Sequence, residues 1–214
     1  MKLSEIVELL SPFLASHGEK PILAVLGGSR GCNFESKDSD YDINFYYSSP
    51  SVQWESAIDT YGYVEFHGAI IHWYFHSTDL SKCDEFSECF YYSKFPLYSS
   101  DCFYAFNSQG EIYQKKLLQN AENIALYFLK KFFIDHENKG RKEAFEICDF
   151  MGKQAYGVML ISNHFGFINF SPREIYKCKE KYSKLSPKEK GKILLCFEKL
   201  KNFSESYSGG LNFS

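Results

Sequence analysis

Asp40 and Asp42 stand one residue apart, and ten residues separate Asp40 from Ser29 at the end of a Gly27-Gly28-Ser29 bend. Carboxylates two apart on a strand point to the same face, so both could meet Mg²⁺, a hard cation that prefers oxygen ligands. Adjacent glycines let backbone N–H groups come up to phosphate oxygens with no Cβ in the way. Ser29 adds a hydroxyl donor, a helix N-terminus is expected to follow, and Arg30 is placed to help with charge. Phosphoryl and nucleotidyl transfer ask for a triphosphate held in line and a divalent metal that neutralises charge as it develops, and each half of Gly27–Asp42 supplies one of these. Either half alone says little, since Gly-Gly-Ser turns mostly connect elements and Asp-x-Asp is commonly a solvated strand face.

The flanking periodicities place this segment between two strands. Ile22-Leu23-Ala24-Val25-Leu26 is a short apolar run ended by Gly27-Gly28 and reads as a buried strand. Ser39 to Tyr47 alternates, with Tyr41, Ile43 and Phe45 on one face and Asp40, Asp42 and Asn44 on the other. Before them, Leu3, Ile6, Val7, Leu10, Phe13 and Leu14 repeat at helical spacing, and His17-Gly18 closes that helix. Tyr61–His67 and Ala69–Ser77 flank Gly68 as a hairpin, and Cys102–Phe106 is a further strand stopped by a turn-like Asn107-Ser108-Gln109-Gly110. Beyond Gly110 the alternation gives way to helical spacing over Glu111–His136 and Arg141–Ser162. Ser171-Pro172-Arg173-Glu174 and Ser186-Pro187-Lys188-Glu189 each carry a capping serine, a proline suited to the first turn and a glutamate able to reach back. The expected class is therefore α+β, a mixed β-sheet core flanked by helices over 1–110, then a C-terminal helical bundle of about four helices over 111–207, with a flexible tail at 208–214.

Gly28-Ser29, ten residues, Asp40-x-Asp42, with an apolar strand on each side, resembles the signature of the DNA-polymerase-β nucleotidyltransferase superfamily, especially its small bacterial branches. Those branches include the aminoglycoside, lincosamide and minimal nucleotidyltransferases. The motif covers residues 26–45, while the likeness in organisation covers most of the chain. The resemblance implies that Gly28 and Ser29 bind the donor phosphates, with Arg30 beside them, and that Asp40 and Asp42 ligate Mg²⁺ or Mn²⁺. It implies transfer of a nucleoside monophosphate, AMP from ATP foremost among the nucleoside triphosphates, to a hydroxyl acceptor. The leading acceptor is a small molecule such as an aminoglycoside-like antibiotic, and the second is a protein hydroxyl.

The family pattern carries a third carboxylate on a later strand, where this chain reads Ile70-Ile71-His72-Trp73-Tyr74 and puts His72 at the corresponding position. His72 could serve as a base. Glu65 on the partner strand, or Glu146 or Asp149 further on, could reach the same region. The departure also keeps open an inactive nucleotide-binding or scaffold protein of the same fold. His72 and His76 share a strand face, but no third ligand stands at zinc-motif spacing. Trp73, Tyr74 and Phe75 alternate faces and are best read as core packing. Asp79, Asp84, Glu85 and Glu88 fit a solvated loop better than a pocket for a polyamine-like acceptor.

The whole chain sets bounds on these readings. Its 214 residues suffice for a sizeable core, and 7 scattered cysteines without a C-x-x-C pair indicate neither a disulfide framework nor a zinc ribbon, as expected of a cytoplasmic protein. No signal-peptide pattern and no apolar run of membrane-spanning length occurs. Residues 1–110 carry 6 Lys/Arg against 15 Asp/Glu, a net −9 that disfavours a duplex-binding surface and favours a cationic acceptor. Residues 171–214 are net +5, which solvated helix faces explain at least as well as nucleic acid. A homodimer stands among the expected partners.

Overall fold

The apolar stripe at the N-terminus forms helix α1 (Leu3–Ala15), whose Leu3, Ile6, Val7, Leu10 and Leu14 are all buried. The structure, a computed structural model, describes residues 1–15, 20–31, 33, 35–47, 61–77, 99–140, 153–169, 171 and 184–208. The apolar run after Pro21 becomes strand β1 (Leu23–Gly27), followed at once by the single helical turn α2 (Gly28–Gly31). The alternating segment is strand β2 (Tyr41–Tyr47), and the hairpin is β3 (Tyr61–Phe66) and β4 (Ala69–Ser77). His67 and Gly68 both have positive φ, 49° and 75°, as a two-residue hairpin turn matching the twist of its strands requires. A 3₁₀ turn at Ser100–Cys102 leads into the short β5 (Phe103–Ala105).

These strands make one five-stranded mixed sheet in the order β3-β4-β2-β1-β5. β2 runs parallel to β4, and the other neighbouring pairs are antiparallel. The sheet's two faces follow from the period of two. Tyr41, Ile43, Phe45 and Tyr47 of β2 join Ile71, Trp73 and Phe75 of β4 in one apolar cluster with α1. At about 1.5–3 kcal/mol for each large side chain withdrawn from water, this layer fixes which way β2 faces. Asp42, Asn44, His72, Tyr74 and His76 are thereby directed to the opposite face. The fold is α+β, as the change of period implied.

Three local expectations are corrected. Asp40 precedes β2 rather than lying in it, because β1 ends at Gly27, opposite Asp42, and the Arg30 guanidinium holds the carbonyls of Ser39 and Asp40 beyond that point. Asn107–Gly110 is not a free turn: Asn107 caps helix α3 (Ser108–Gln119), its Oδ1 accepting from the Gly110 N–H at 3.0 Å. The single helix expected over Glu111–His136 is two, α3 and α4 (Ala121–Asn138). Asn120 ends α3 with its backbone at φ −110° and its side-chain Nδ2 donating to the Lys116 carbonyl at 2.8 Å.

The chain divides into compact units after Ala121, eleven residues beyond the change of period at Gly110. The displacement has a physical reason: α3 packs on β5 and β1 and so belongs with the sheet. In the second unit α4 buries Ile124, Leu129, Phe132 and Phe133, helix α5 (Lys153–His164) buries Val158, Met159 and Ile161, and helix α6 (Pro187–Ser206) buries Ile193, Cys196, Phe197 and Leu200. The start of α6 is the capping box read from Ser186 and Glu189, with both reciprocal bonds formed. The first part of the helix expected at Arg141–Ser162 and the one expected after Ser171-Pro172 lie outside the described residues. No described helix is long and apolar enough to cross a membrane.

Candidate functional site

Gly27 ends β1 directly opposite Asp42, and the chain then turns through Gly28 with φ +62°. A Cβ on Gly28 would overlap Asp42 Oδ2, so glycine is required here twice over, for its backbone angle and for the carboxylate lying against its Cα. Asp42 is only 5% exposed. It is also the register partner of His72 across the parallel β2–β4 pair, which puts both side chains on one face.

Asp42 accepts a hydrogen bond from the Tyr74 phenol. Burial chiefly, then the charge of Asp42, the neighbouring Tyr61, the charge of Asp40 and the hydrogen bond itself push that phenol up to about 12. Tyr74 therefore keeps its proton at physiological pH and acts as a donor. Both carboxylates raise the Tyr74 pKa, and Asp40 contacts His72, the register partner of Asp42, so the two aspartates lie in one neighbourhood. Their nearest neighbours nevertheless differ. Asp42 lies between Gly28 and Tyr74, whereas the Asp40 carboxylate faces His72, Oδ2 to Nε2 3.4 Å, with the Asp40 side chain 46% exposed and the His72 side chain 22%.

The other nitrogen of His72 is also engaged. Tyr61 Oη lies 2.6 Å from His72 Nδ1, and the two rings stack with centroids 5.7 Å apart. Each nitrogen thus has a protein neighbour, Nδ1 the Tyr61 hydroxyl and Nε2 the Asp40 carboxylate. Arg30 does not stand free beside a phosphate path. Its Nη2 donates to Ser39 O at 2.7 Å, its Nε is 3.2 Å from the carbonyls of Ser39 and Asp40, and its guanidinium lies 3.9 Å over the Tyr41 ring. In this arrangement it fixes the chain that carries Asp40.

Ser29 is half-buried in α2, next to Gly28. Glu65 is exposed on β3, paired with Ile70, and two strands from the line of Asp40, about 9–10 Å between backbones at ordinary strand spacing. Among the described residues no ion pair joins it to the site. Glu146 and Asp149, and the acids Asp79, Asp84, Glu85 and Glu88, lie outside the described residues.

His76 belongs to a different set. Its Nε2 lies 2.9 Å from Asn44 Oδ1, its ring stacks on Tyr46, and burial lowers its pKa to about 4. His72 and His76 thus serve separate partners, and among the described residues no three of His, Cys, Asp and Glu gather into a metal-holding group. Tyr74 corrects the core-packing reading, since Trp73 and Phe75 enter the apolar layer while Tyr74 faces the acids. Tyr61 was missed altogether. Its place beside His72 depends on hairpin register, for which alternation along β3 was the available signal.

No known protein family matches this chain, and no curated protein matches it.

Proposed function

We propose that the chain is a metal-dependent nucleotidyltransferase of the polymerase-β type, moving a nucleoside monophosphate, AMP from ATP in the first instance, to a hydroxyl acceptor. The observation that carries this reading is the Asp42 carboxylate packed against Gly28 of the Gly27–Ser29 bend, with Asp40 beside His72, the register partner of Asp42. Two carboxylates suit Mg²⁺, which keeps several waters and is commonly held by one or two carboxylates together with substrate phosphate oxygens. Asp40 and Asp42 would hold it, and when bound it would offset the charge building on the phosphates. Tyr74 orients Asp42 through its hydrogen bond, and Arg30 fixes the backbone of Asp40. The amides and hydroxyl of the bend would receive the donor phosphates. In the reaction the acceptor oxygen bonds to the α-phosphorus, the bond from that phosphorus to the α–β bridging oxygen breaks, pyrophosphate leaves, and the acceptor proton passes to solvent.

The small-molecule acceptor keeps first place because residues 1–110 are net −9, which draws a polycation, and a protein hydroxyl comes second. A cytoplasmic location, a helical bundle as the second unit and a homodimer belong to the same proposal. The alternative is a nucleotide-binding or scaffold protein without turnover, favoured by His72 standing where the family pattern has its third carboxylate. Incubation with α-labelled ATP or GTP, Mg²⁺ or Mn²⁺, and aminoglycosides, lincosamides or candidate proteins separates them. Label transfer that vanishes in Asp40→Ala and Asp42→Ala supports the transferase. Nucleotide binding without transfer to any acceptor supports the alternative.

A further inference from the structure

We propose that the open face of β3 and β4, where Tyr63 stands against His72 and between Tyr61 and Glu65, binds an organic cation and seats an ammonium group on the Tyr63 ring. β3 is the outermost strand of the sheet, and its register with β4 sets Tyr61, Tyr63 and Glu65 opposite Tyr74, His72 and Ile70. Alternation turns these side chains away from the apolar layer, against which Val64 and Phe66 pack instead. Single exposed apolar side chains are ordinary, but here Tyr61, Tyr63 and Ile70 adjoin, and Tyr63 is 68% exposed. The rings behind Tyr63 are held in place. Tyr61 stacks on His72, bonds to its Nδ1 and lies 5.2 Å from the Tyr74 ring, and the Tyr63 ring lies 6.1 Å from that of His72 at an angle of 39°. Tyr61 is thus tied to its neighbours, while Tyr63 keeps most of its surface for a ligand.

Charge identifies the occupant. The face of a tyrosine ring is negative and attracts an ammonium within about 6 Å of its centroid. No Lys or Arg occurs between Tyr61 and Ser77 to compete for it. Glu65 is exposed two residues further along the same strand face, roughly 7 Å away at ordinary strand rise, so an ammonium over Tyr63 can also meet a carboxylate. The net −9 of residues 1–110 draws the same sign of ligand and repels the phosphates of a nucleic acid, the other ligand that stacks on tyrosines. His72 joins this face to the Asp40 carboxylate, 3.4 Å from its Nε2, so a cation on Tyr63 lies beside the candidate site. Glu65 accordingly anchors the ligand instead of serving the metal. The use of this surface as the seat of an amine-bearing acceptor rests on the preceding proposal, whereas the binding of the cation does not.

Nuclear magnetic resonance of the full chain with ring-labelled tyrosines tests the assignment, titrating spermidine, kanamycin and uncharged trehalose at constant ionic strength without metal or nucleotide. The Tyr63 signal is the one missing from Tyr63→Phe. Both cations should move it and trehalose should not. Calorimetric titration then reads the variants. Tyr63→Phe keeps the ring and should bind both cations within about 2-fold of the wild type, whereas Tyr63→Leu keeps apolar bulk without the ring and should weaken them about 2- to 5-fold, the size of an exposed cation–π contact. Glu65→Gln should weaken them by a similar factor and reduce the dependence on salt. Thermal melting of each variant checks that it folds. A Tyr63 signal unmoved by both cations, equal movement by trehalose, or undiminished affinity in Tyr63→Leu would each overturn the surface. Label transfer by a chain whose Tyr63 ignores both cations would discard this surface and keep the transferase, whereas a cation bound at Tyr63 without transfer to any acceptor would do the reverse.

Discussion

At Gly28 the candidate site admits no side chain. Its φ of +62° is unfavourable for any L-residue, and a Cβ would overlap the Asp42 carboxylate. Gly28→Ala is therefore expected to cost about 1–3 kcal/mol of stability, read by denaturant titration, and to displace Asp42. Loss of nucleotide binding at full stability would show instead that only the phosphate path was touched. His76 carries a separate expectation. Burial holds its pKa near 4 in the folded chain, against about 6.5 when unfolded, so below pH 6.5 the unfolded chain gains a proton that the folded one refuses. Stability should thus be fully present above pH 6.5 and be lost as the pH falls toward 4. Between pH 7 and 5 the loss is expected to be about 2 kcal/mol, measured as unfolding free energy at each pH. In His76→Gln that dependence should flatten. Asp40 and Asp42 could be picked out of the sequence by type and spacing. Tyr61 and Tyr74 could not, because a tyrosine on an alternating strand reads equally well as packing until its neighbour across the sheet is known.

The elements explain why one half of the site was legible and the other was not. β1 and β2 are joined by the segment that carries the glycines and aspartates, so their periods and their connection lie together in sequence. β4 reaches the site as the parallel neighbour of β2, a long-range pairing that no local pattern encodes. The capping box at Ser186–Glu189 was legible for the opposite reason, since every group in it lies within four residues. The break between α3 and α4 was hidden because apolar residues keep their helical period across Asn120, and only its back-bonded side chain marks the end of α3. The apolar layer beneath β2 sets the direction of Asp42 on the other face. Ile43 is fully buried in it, and Ile43→Ala should destabilise the chain by about 2–5 kcal/mol. Thermal melting checks this, and a cost under ~1 kcal/mol would mean that the layer tolerates a void and does not fix the orientation of β2.

For the chain as a whole, the change of hydrophobic period revealed that a sheet-bearing part precedes a helical one, but the division falls after Ala121 because α3 is helical in sequence and belongs to the sheet by packing. Every residue of the proposed site lies in the first unit, where the acidic charge is also concentrated. On the proposed function, this unit holds a metal–triphosphate complex on Asp40 and Asp42. The decisive measurement is calorimetric titration of the full chain with a non-hydrolysable ATP analogue, run with Mg²⁺ and with Mn²⁺, on the wild type and on the Asp40→Asn/Asp42→Asn pair. The expected result is one site per chain that depends on the divalent ion and disappears in the double variant while its melting temperature is retained. Binding that persists unchanged in the double variant, or no binding by the wild type with either ion, would rule out a metal–triphosphate site on these aspartates.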